Sequence, residues 1–465
     1  MSRINTNVGS MIARRALTSN NNTLSTSMER LSTGLKINSG KDNPAGLIAS
    51  ESLKSEQVGI TQAMDNAQRA DNVISTAEGG LGEVSNLLNQ LQSLVNQSAN
   101  TGGLSQDETN ANQLQVDSIL STINRIAGTT SFNGKKLLNG TLDYTTSGVG
   151  SGVNDLHVNA ARLGSNSAVT VDVQVTAAAS AAGVTFTGST LSAATTVEIG
   201  GNAGVEQFAF AASASVSSMT AAINANSDVT GIVASATTGG FGLYSKDKGS
   251  DQFVSVRVVS GSFSTDKTRD TGTDAQVSVN GAKATTNGTE VSFRSSGLDV
   301  DFNLTDTSNA AGQTTSFSVT GGGATFSLGS KVTYGDQASI GIGSVTTGSL
   351  GSKDLGYLNS LASGFDNDLS SDNLVNAQKI VDSATSQVAT LRGRLGAFQK
   401  YTIGATISNL GVALENVSAS QSAITDTDFA EETANMTRSQ ILSQAAQSVL
   451  SQANSQPQSA LRLLQ

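Results

Sequence analysis

Apolar residues return every three or four positions along both ends of the chain, whereas the middle alternates apolar and polar side chains one by one. The first spacing predicts helices and the second predicts half-buried strands. Residues 1 to about 130 and 372–465 belong to the helical class and are rich in Leu, Ile, Ala, Gln, Asn and Ser. From about 176 to 330 the chain is dominated by Thr, Ser, Val and Gly. Strand-like stretches are VTVDVQV at 169–175, VSVRVV at 254–259, AQVSVNG at 275–281 and LDVDFNL at 298–304. Asn280-Gly281 and Asn287-Gly288 suit the tight turns between such strands. The expected fold is multidomain α+β, with a long antiparallel helical bundle or coiled coil drawn from both chain ends and β-rich domains inserted between them.

Two seams stand out within the helical ends. Ile60, Met64, Ala67, Ile74, Leu81, Val84, Leu88, Leu91 and Val95 fall at steps of three, four or seven, and Ser98 to Gly103 closes the run. Val381, Ala384, Val388, Leu391, Leu395 and Phe398 repeat the alternation; after a step of five, Ile403, Ile407, Leu410, Leu414 and Val417 resume it. A sustained heptad stripe needs a partner helix, and each seam can serve as the other's. A helix from Asn43 to Ala99 would be on the order of 80 Å long, a rod rather than a globule. Residues 102–128 predict a third bundle helix through Leu114, Ile119, Ile123 and Ile126. SFNGKKLLNG at 131–140 then marks a hairpin, through Asn133-Gly134 and Asn139-Gly140.

The outermost segments carry stripes of their own. Ile4, Val8, Met11, Leu17, Leu24, Met28, Leu31 and Leu35 form one, in a segment with six basic and two acidic residues. Phe429, Met436, Leu442, Val449, Leu450 and Ala453, continued by Leu461 and Leu464, form the other, in a segment with two basic and four acidic residues. Asp428 is placed to cap the second helix, with Glu431 three residues on, and Pro457 to end it. Neither stripe has enough chain around it to bury itself, so both segments are expected to order on association.

Composition narrows the function. Only 14% of residues are charged, and the 465-residue chain has two Pro, no Cys, no Trp and one His. Zero Cys excludes disulfides, thiolate metal sites and a Cys nucleophile. With 4% aromatic residues, the core is expected from Ala, Leu, Ile and Val rather than rings. The net charge of −10 argues against nucleic-acid binding, and no run of about 20 apolar residues suggests membrane insertion. The N-terminus has no apolar core of a signal peptide, which leaves a cytosolic protein or one exported by a dedicated machine.

Candidate chemistry is thin. His157 stands alone and reads as a surface or hairpin residue. Gly148, Gly150 and Gly152 and the run Gly321-Gly322-Gly323 read as loops, since no phosphate-binding motif accompanies them. Asp299 and Asp301 fall on one strand face and read as solvated carboxylates rather than a calcium site. Asn139, Asn287 and Asn303 begin Asn-x-Thr triplets, common by chance in so hydroxyl-rich a chain. No catalytic residue, cofactor site or metal site emerges.

INTN at 4–7, LSTGLKINSGKDNPAGL at 31–47, NQSAN at 96–100, INRIAGTTSFNGKKLLNG at 123–140, ISNLGVALENVSASQSAITDTDFAEETANMTRSQILSQAAQSVLSQAN at 407–454 and PQSALRLLQ at 457–465 together resemble bacterial flagellin, the flagellar filament subunit. LGSKVTYGDQASIGIGSV at 328–345 resembles the return from that family's variable domains. Residues 197–259 resemble a β-α-β insertion module of some members. The resemblance implies an inner coiled-coil assembly domain of 1–42 with 426–465, a helical-rod domain with β-hairpins of 43–175 with 324–425, and an exposed variable β domain over 176–323. It implies homopolymerisation into a helical filament for swimming, secretion unfolded through the type III flagellar export apparatus with an export chaperone, and contacts with cap and junction proteins. O-linked sugars on outer Ser and Thr also follow from it. Leu88, Gln90, Gln92, Leu94 and Gln97 fall in the segment through which flagellins engage a vertebrate innate receptor; strongly recognised members carry arginines where this chain has Gln90 and Gln92, so activation is expected to be weak. The other function classes are a hook-filament junction protein of the same family and a binding module or enzyme in the central β region.

Overall fold

The computed structural model describes residues 6–462 apart from 101, 165, 167, 296 and 372. Its helices are α1 (Val8–Thr33), α2 (Pro44–Ser98), α3 (Gln106–Thr129), α4 (Val216–Ala225), α5 (Ser227–Thr230), α6 (Leu374–Ala397), α7 (Ala405–Thr425) and α8 (Phe429–Arg462). Strands occupy most of the chain between α3 and α6. The described chain divides into two compact units. One comprises the chain up to Gln68, Ser327–Asp336 and the chain from Ile403 onward; the other comprises Arg69–Phe326 and Gln337–Thr402.

In the second unit the expected seam is a core. Ile74, Leu81, Val84, Leu88, Leu91 and Val95 of α2 are fully buried, as are Ile380, Val381, Ala384, Val388 and Leu395 of α6. Hydrogen bonds from Gln399 Nε2 to Ser75 Oγ (3.0 Å) and from Gln92 Nε2 to Asp382 Oδ1 (2.8 Å) set α2 and α6 antiparallel. Arg392 lies 3.8 Å from Glu78 between those anchors. Each buried Leu or Ile stabilises by about 1.5–3 kcal/mol, so this seam supports itself.

The step of five between Phe398 and Ile403 is a π-helical stretch, Phe398–Gly404. Its wider turn takes up the additional residue and returns the stripe to the same face. Beyond it the expectation weakens: α7 has no fully buried residue, and Ile407, Leu410, Leu414 and Val417 are half-buried. The α3 expectation also needs one correction. Its Ser105–Glu108 capping box is formed, and Val116, Ile119 and Ile123 are buried, but Leu114 is 69% exposed. It lies two residues from Val116, on the opposite face of a helix with a 3.6-residue period.

All four strand stretches form, with Asn280-Gly281 and Asn287-Gly288 in their turns. A five-stranded antiparallel sheet runs in the order Ala282–Lys283, Gln276–Val279, Val169–Ala177, Thr314–Gly322, Tyr144–Ser147. A four-stranded sheet, Thr285–Asn287, Glu290–Arg294, Leu298–Leu304 and Val153–Ala161, shares its core through Val171, Val173, Val300, Phe302 and Phe317. A separate core spans Ala182 to Phe263, wider than 197–259, and α4 lies between two hairpins rather than in a simple β-α-β crossover. Rings contradict the aliphatic expectation here. Phe186, Phe208, Phe210, Phe241 and Phe263 are all buried, and the Phe186 and Phe263 centroids stack at 4.4 Å.

Asp274 joins the segments that carry these two cores. Its Oδ1 accepts from the N–H groups of Ser250 and Gly288, both at 2.8 Å, and its Oδ2 accepts from Ser250 Oγ at 2.7 Å. Gly288 is required there, because it has φ +60° and a Cβ would stand 2.3 Å from the Lys248 carbonyl oxygen. These bonds hold the Asp274 carboxyl below the usual carboxylate range.

Candidate assembly surface

The terminal pair is α1 with α8, both in the first unit. Asn7 caps α1, its Oδ1 accepting from Ser10 N–H at 3.0 Å, and Gly34 ends it at φ +74°. Asp428 caps α8 as expected, accepting from the N–H groups of Ala430 (2.8 Å) and Glu431 (3.2 Å). Pro457 does not end α8, which continues to Arg462. The expectation rested on the missing proline amide, and the corresponding acceptor, the Ala453 carbonyl, is met from α1 by Asn7 Nδ2 at 2.7 Å.

Further anchors fix an antiparallel register. Ser443 Oγ donates to Asn21 Oδ1 at 2.7 Å, and Arg30 lies 3.6 Å from the buried carboxylate of Glu432. Past the end of α1, Lys36 N–H donates to the Thr425 carbonyl and Thr427 N–H to the Gly34 carbonyl. The Arg30–Glu432 pair is where the opposite charges of the two segments meet.

The covered positions on α1 follow the line Ser10, Ala13, Leu17, Asn20, Leu24, Ser27 and Leu31, with Thr26 and Arg30 half-covered beside it. Those on α8 follow the line Glu432, Met436, Ser439, Ser443, Ala446, Leu450 and Ala453, with Asn435 half-covered beside it. Both sets step by three and four, and the register brings large side chains level with small ones: Leu17 with Ala446, Leu24 with Ser439, Leu450 with Ala13. Small residues let the two backbones approach, at the expense of apolar area buried.

The single stripe expected on each segment is therefore two faces. Leu17, Leu24, Leu31, Met436 and Leu450 turn into the intrachain seam. Val8 (51% exposed), Met11, Met28, Leu35, Phe429 (59%), Leu442 and Val449 face outward. Ile12 and Ile441, both about 60% exposed, belong with them and were missed, because they fall off the three-four path. Ile4 and Leu464 lie outside the described residues, and the side chain of Leu461 is not described. The outward set includes positions that a two-stranded coiled coil leaves polar. On α8, Ala430, Ala434, Thr437, Ile441 and Leu442 line an open groove of about 600 Å³.

The remaining candidates are placed as follows. Leu88 and Leu94 are buried in α2; Gln90 and Gln97 are exposed, and Gln92 is held by Asp382. His157 is exposed on a strand, as expected. Gly321 and Gly322 are not loop residues: they end a strand, and at Gly322 (φ +87°) a Cβ would stand 2.1 Å from the Asp143 carbonyl oxygen. Asp299 and Asp301 are not simply solvated, since both are half-covered and Asn159 Nδ2 donates to each. Burial, then the charge of Asp301, pushes the Asp299 carboxyl above the usual range, while Arg294 and Arg394 pull the other way. Burial likewise raises Asp143 and lowers Arg394. Among the described residues no group of three or more His, Cys, Asp or Glu side chains could hold a metal ion, and no described helix is long and apolar enough to cross a membrane.

Comparison with known proteins places the chain in a family. Residues 4–143 match the bacterial flagellin N-terminal helical region, and residues 378–464 match the corresponding C-terminal helical region. Flagellin B of Vibrio cholerae serotype O1 is 32% identical over 99% of both chains, and flagellin of Salmonella rubislaw 31% over 99% of both. The chain belongs to the bacterial flagellin family. It is a structural subunit of the extracellular flagellar filament, and the relatives carry the filament-subunit name rather than that of a junction protein.

Proposed function

We propose that the outward residues of the terminal pair, Val8, Met11, Ile12, Met28, Leu35, Phe429, Ile441, Leu442 and Val449, are the intersubunit contacts of the filament. The observation that carries this is their exposure on several sides of one helical pair in whose own seam half of the positions named above are only Ser or Ala. A single chain gains little from closing such a seam, and several copies gain a great deal from covering its outside. Order in the two segments is accordingly coupled to association.

In this reading 1–42 with 426–465 line the inside, 43–175 with 324–425 form the next shell, and 176–323 faces outward. Cap and junction proteins would meet the same terminal face at the two filament ends. The absence of Cys suits passage of an unfolded chain through an export apparatus with its chaperone. Deleting 426–465 tests the core of the reading: a soluble chain with its second unit folded and no filaments under negative stain after salt-induced assembly is expected, and filaments from the truncated chain overturn it.

Weak engagement of the vertebrate receptor rests on Gln90 and Gln92, which offer no guanidinium. Gln92 is further occupied by Asp382. Gln90→Arg is expected to raise a reporter-cell response several-fold; a parent response equal to that of an arginine-bearing flagellin refutes the reading.

A further inference from the structure

We infer that Asn7 is a register lock at the start of α1, where the terminal pair is farthest from the Gly34–Thr427 junction, and that it works because Pro457 frees the carbonyl it binds. In a regular helix the carbonyl of Ala453 accepts the amide of residue 457. Residue 457 is proline and has no amide hydrogen, so α8 cannot supply that bond. Asn7 Nδ2 donates to the Ala453 oxygen at 2.7 Å, while Oδ1 of the same side chain caps α1 through Ser10 N–H at 3.0 Å.

One amide thus completes both helices, and it can do so at one alignment only. Slipping α8 by a heptad would keep the three-four packing of small residues nearly satisfied, yet would carry the amide-free carbonyl about 10 Å from Asn7, as it would part Ser443 from Asn21 and Glu432 from Arg30. The seam is permissive and the bridge is selective, much as one polar residue sets the register of a coiled coil. The inference rests on the assembly reading only in its consequence: register decides how the outward apolar side chains of α1 stand along the pair relative to those of α8, and so the surface offered to neighbouring subunits.

The chain has no Cys, so a disulfide probe is free of background. A Cβ at Gly9 would stand 3.9 Å from Ala453 Cβ, within disulfide reach. A full-length parent carrying Gly9→Cys and Ala453→Cys is oxidised mildly, in solution and after assembly, and the intrachain bond is followed by gel mobility and peptide mass. Into it go Asn7→Asp, Pro457→Ala and the two together. Asp keeps the cap acceptor and loses the donor, so capping and bridging separate. Asn7→Asp is expected to slow the intrachain bond about fivefold, the equilibrium factor of one ordinary hydrogen bond. In the Pro457→Ala chain the helix supplies its own amide, and the same change should matter less than twofold. Equal effects in both backgrounds overturn the lock, as does a parent that does not crosslink in either state. Failure of the assembly reading shows separately, as absence of filaments whatever the crosslinking.

Discussion

The terminal pair and the α2–α6 core use the same three-four spacing to opposite ends. In α2 and α6 the stripe is Leu, Ile and Val, and it vanishes from solvent within one chain. In α1 and α8 it is Ser, Ala and Asn interleaved with four leucines and Met436, and a second set of large side chains is left outside. Spacing alone thus says that a helix has a partner; the volume of the residues at the spaced positions says how much of the stabilisation that partner supplies. The core is self-sufficient, and the pair leaves large apolar side chains uncovered, which is what the proposed completion by other copies rests on.

That contrast can be broken by substitution. Leu88→Ala should destabilise the second unit by about 3 kcal/mol, read in denaturant melts of the soluble chain, because it leaves a cavity in a closed core. Leu442→Asp should shift the same melts by less than about 0.5 kcal/mol while abolishing filaments. If the two variants lower monomer stability equally, the distinction between core and assembly face collapses.

Breaking the Arg30–Glu432 pair probes the terminal seam more gently. Glu432→Gln should lower the heat stability of filaments by about 1–3 kcal/mol per subunit, since it leaves the Arg30 charge half-covered and unpaired, and leave the second unit's melt where it was. A change in that melt would mean that the charge pair supports the fold rather than the assembly.

Two carboxyls give opposite pH signatures within the β region. Asp299 is raised in the folded chain, so the folded state holds its proton longer. Its ionisation takes away stability as pH climbs from the ordinary value, about 3.9, through the raised one. Asp274 is lowered, so its contribution is present above the ordinary value and fades as pH falls through the lowered one. Asp299→Asn should therefore flatten the fall in stability just above pH ~4, and Asp274→Asn should cost about 1 kcal/mol at neutral pH and flatten the loss below it. Melts at a series of pH values check both signs. The smallest effect is expected at Leu114→Gln, within about 0.5 kcal/mol, since that side chain is already in water.

Much of this was legible before any fold was known. The alternating stretches became strands because a pleated surface with one buried face demands period two. The Asn-Gly pairs became turns because they accept positive φ at low cost. The step of five at Phe398 showed as a break in the stripe, though not as the π-helical stretch that spans it. Less legible was anything that depended on which residues meet across long separations. Pro457 read as a stop because the carbonyl it orphans is answered by Asn7, a residue 446 positions away. Asp299 and Asp301 read as wet because Asn159 and Arg394 come from other strands and helices. The chain's few phenylalanines counted as too dilute for a core until folding gathered five of them between Ala182 and Phe263.

By itself the sequence determined the helix-sheet-helix order, the α2–α6 seam, the Asp428 cap and the family, because these depend on periodicity, local hydrogen bonding and the motifs at the two ends. Only the tertiary structure decided which half of each terminal stripe turns inward, how Asn7 and Pro457 share one carbonyl, and which carboxyls leave water. Those outcomes turn on side-chain volume and polar satisfaction between segments hundreds of residues apart, and no local pattern records such a meeting.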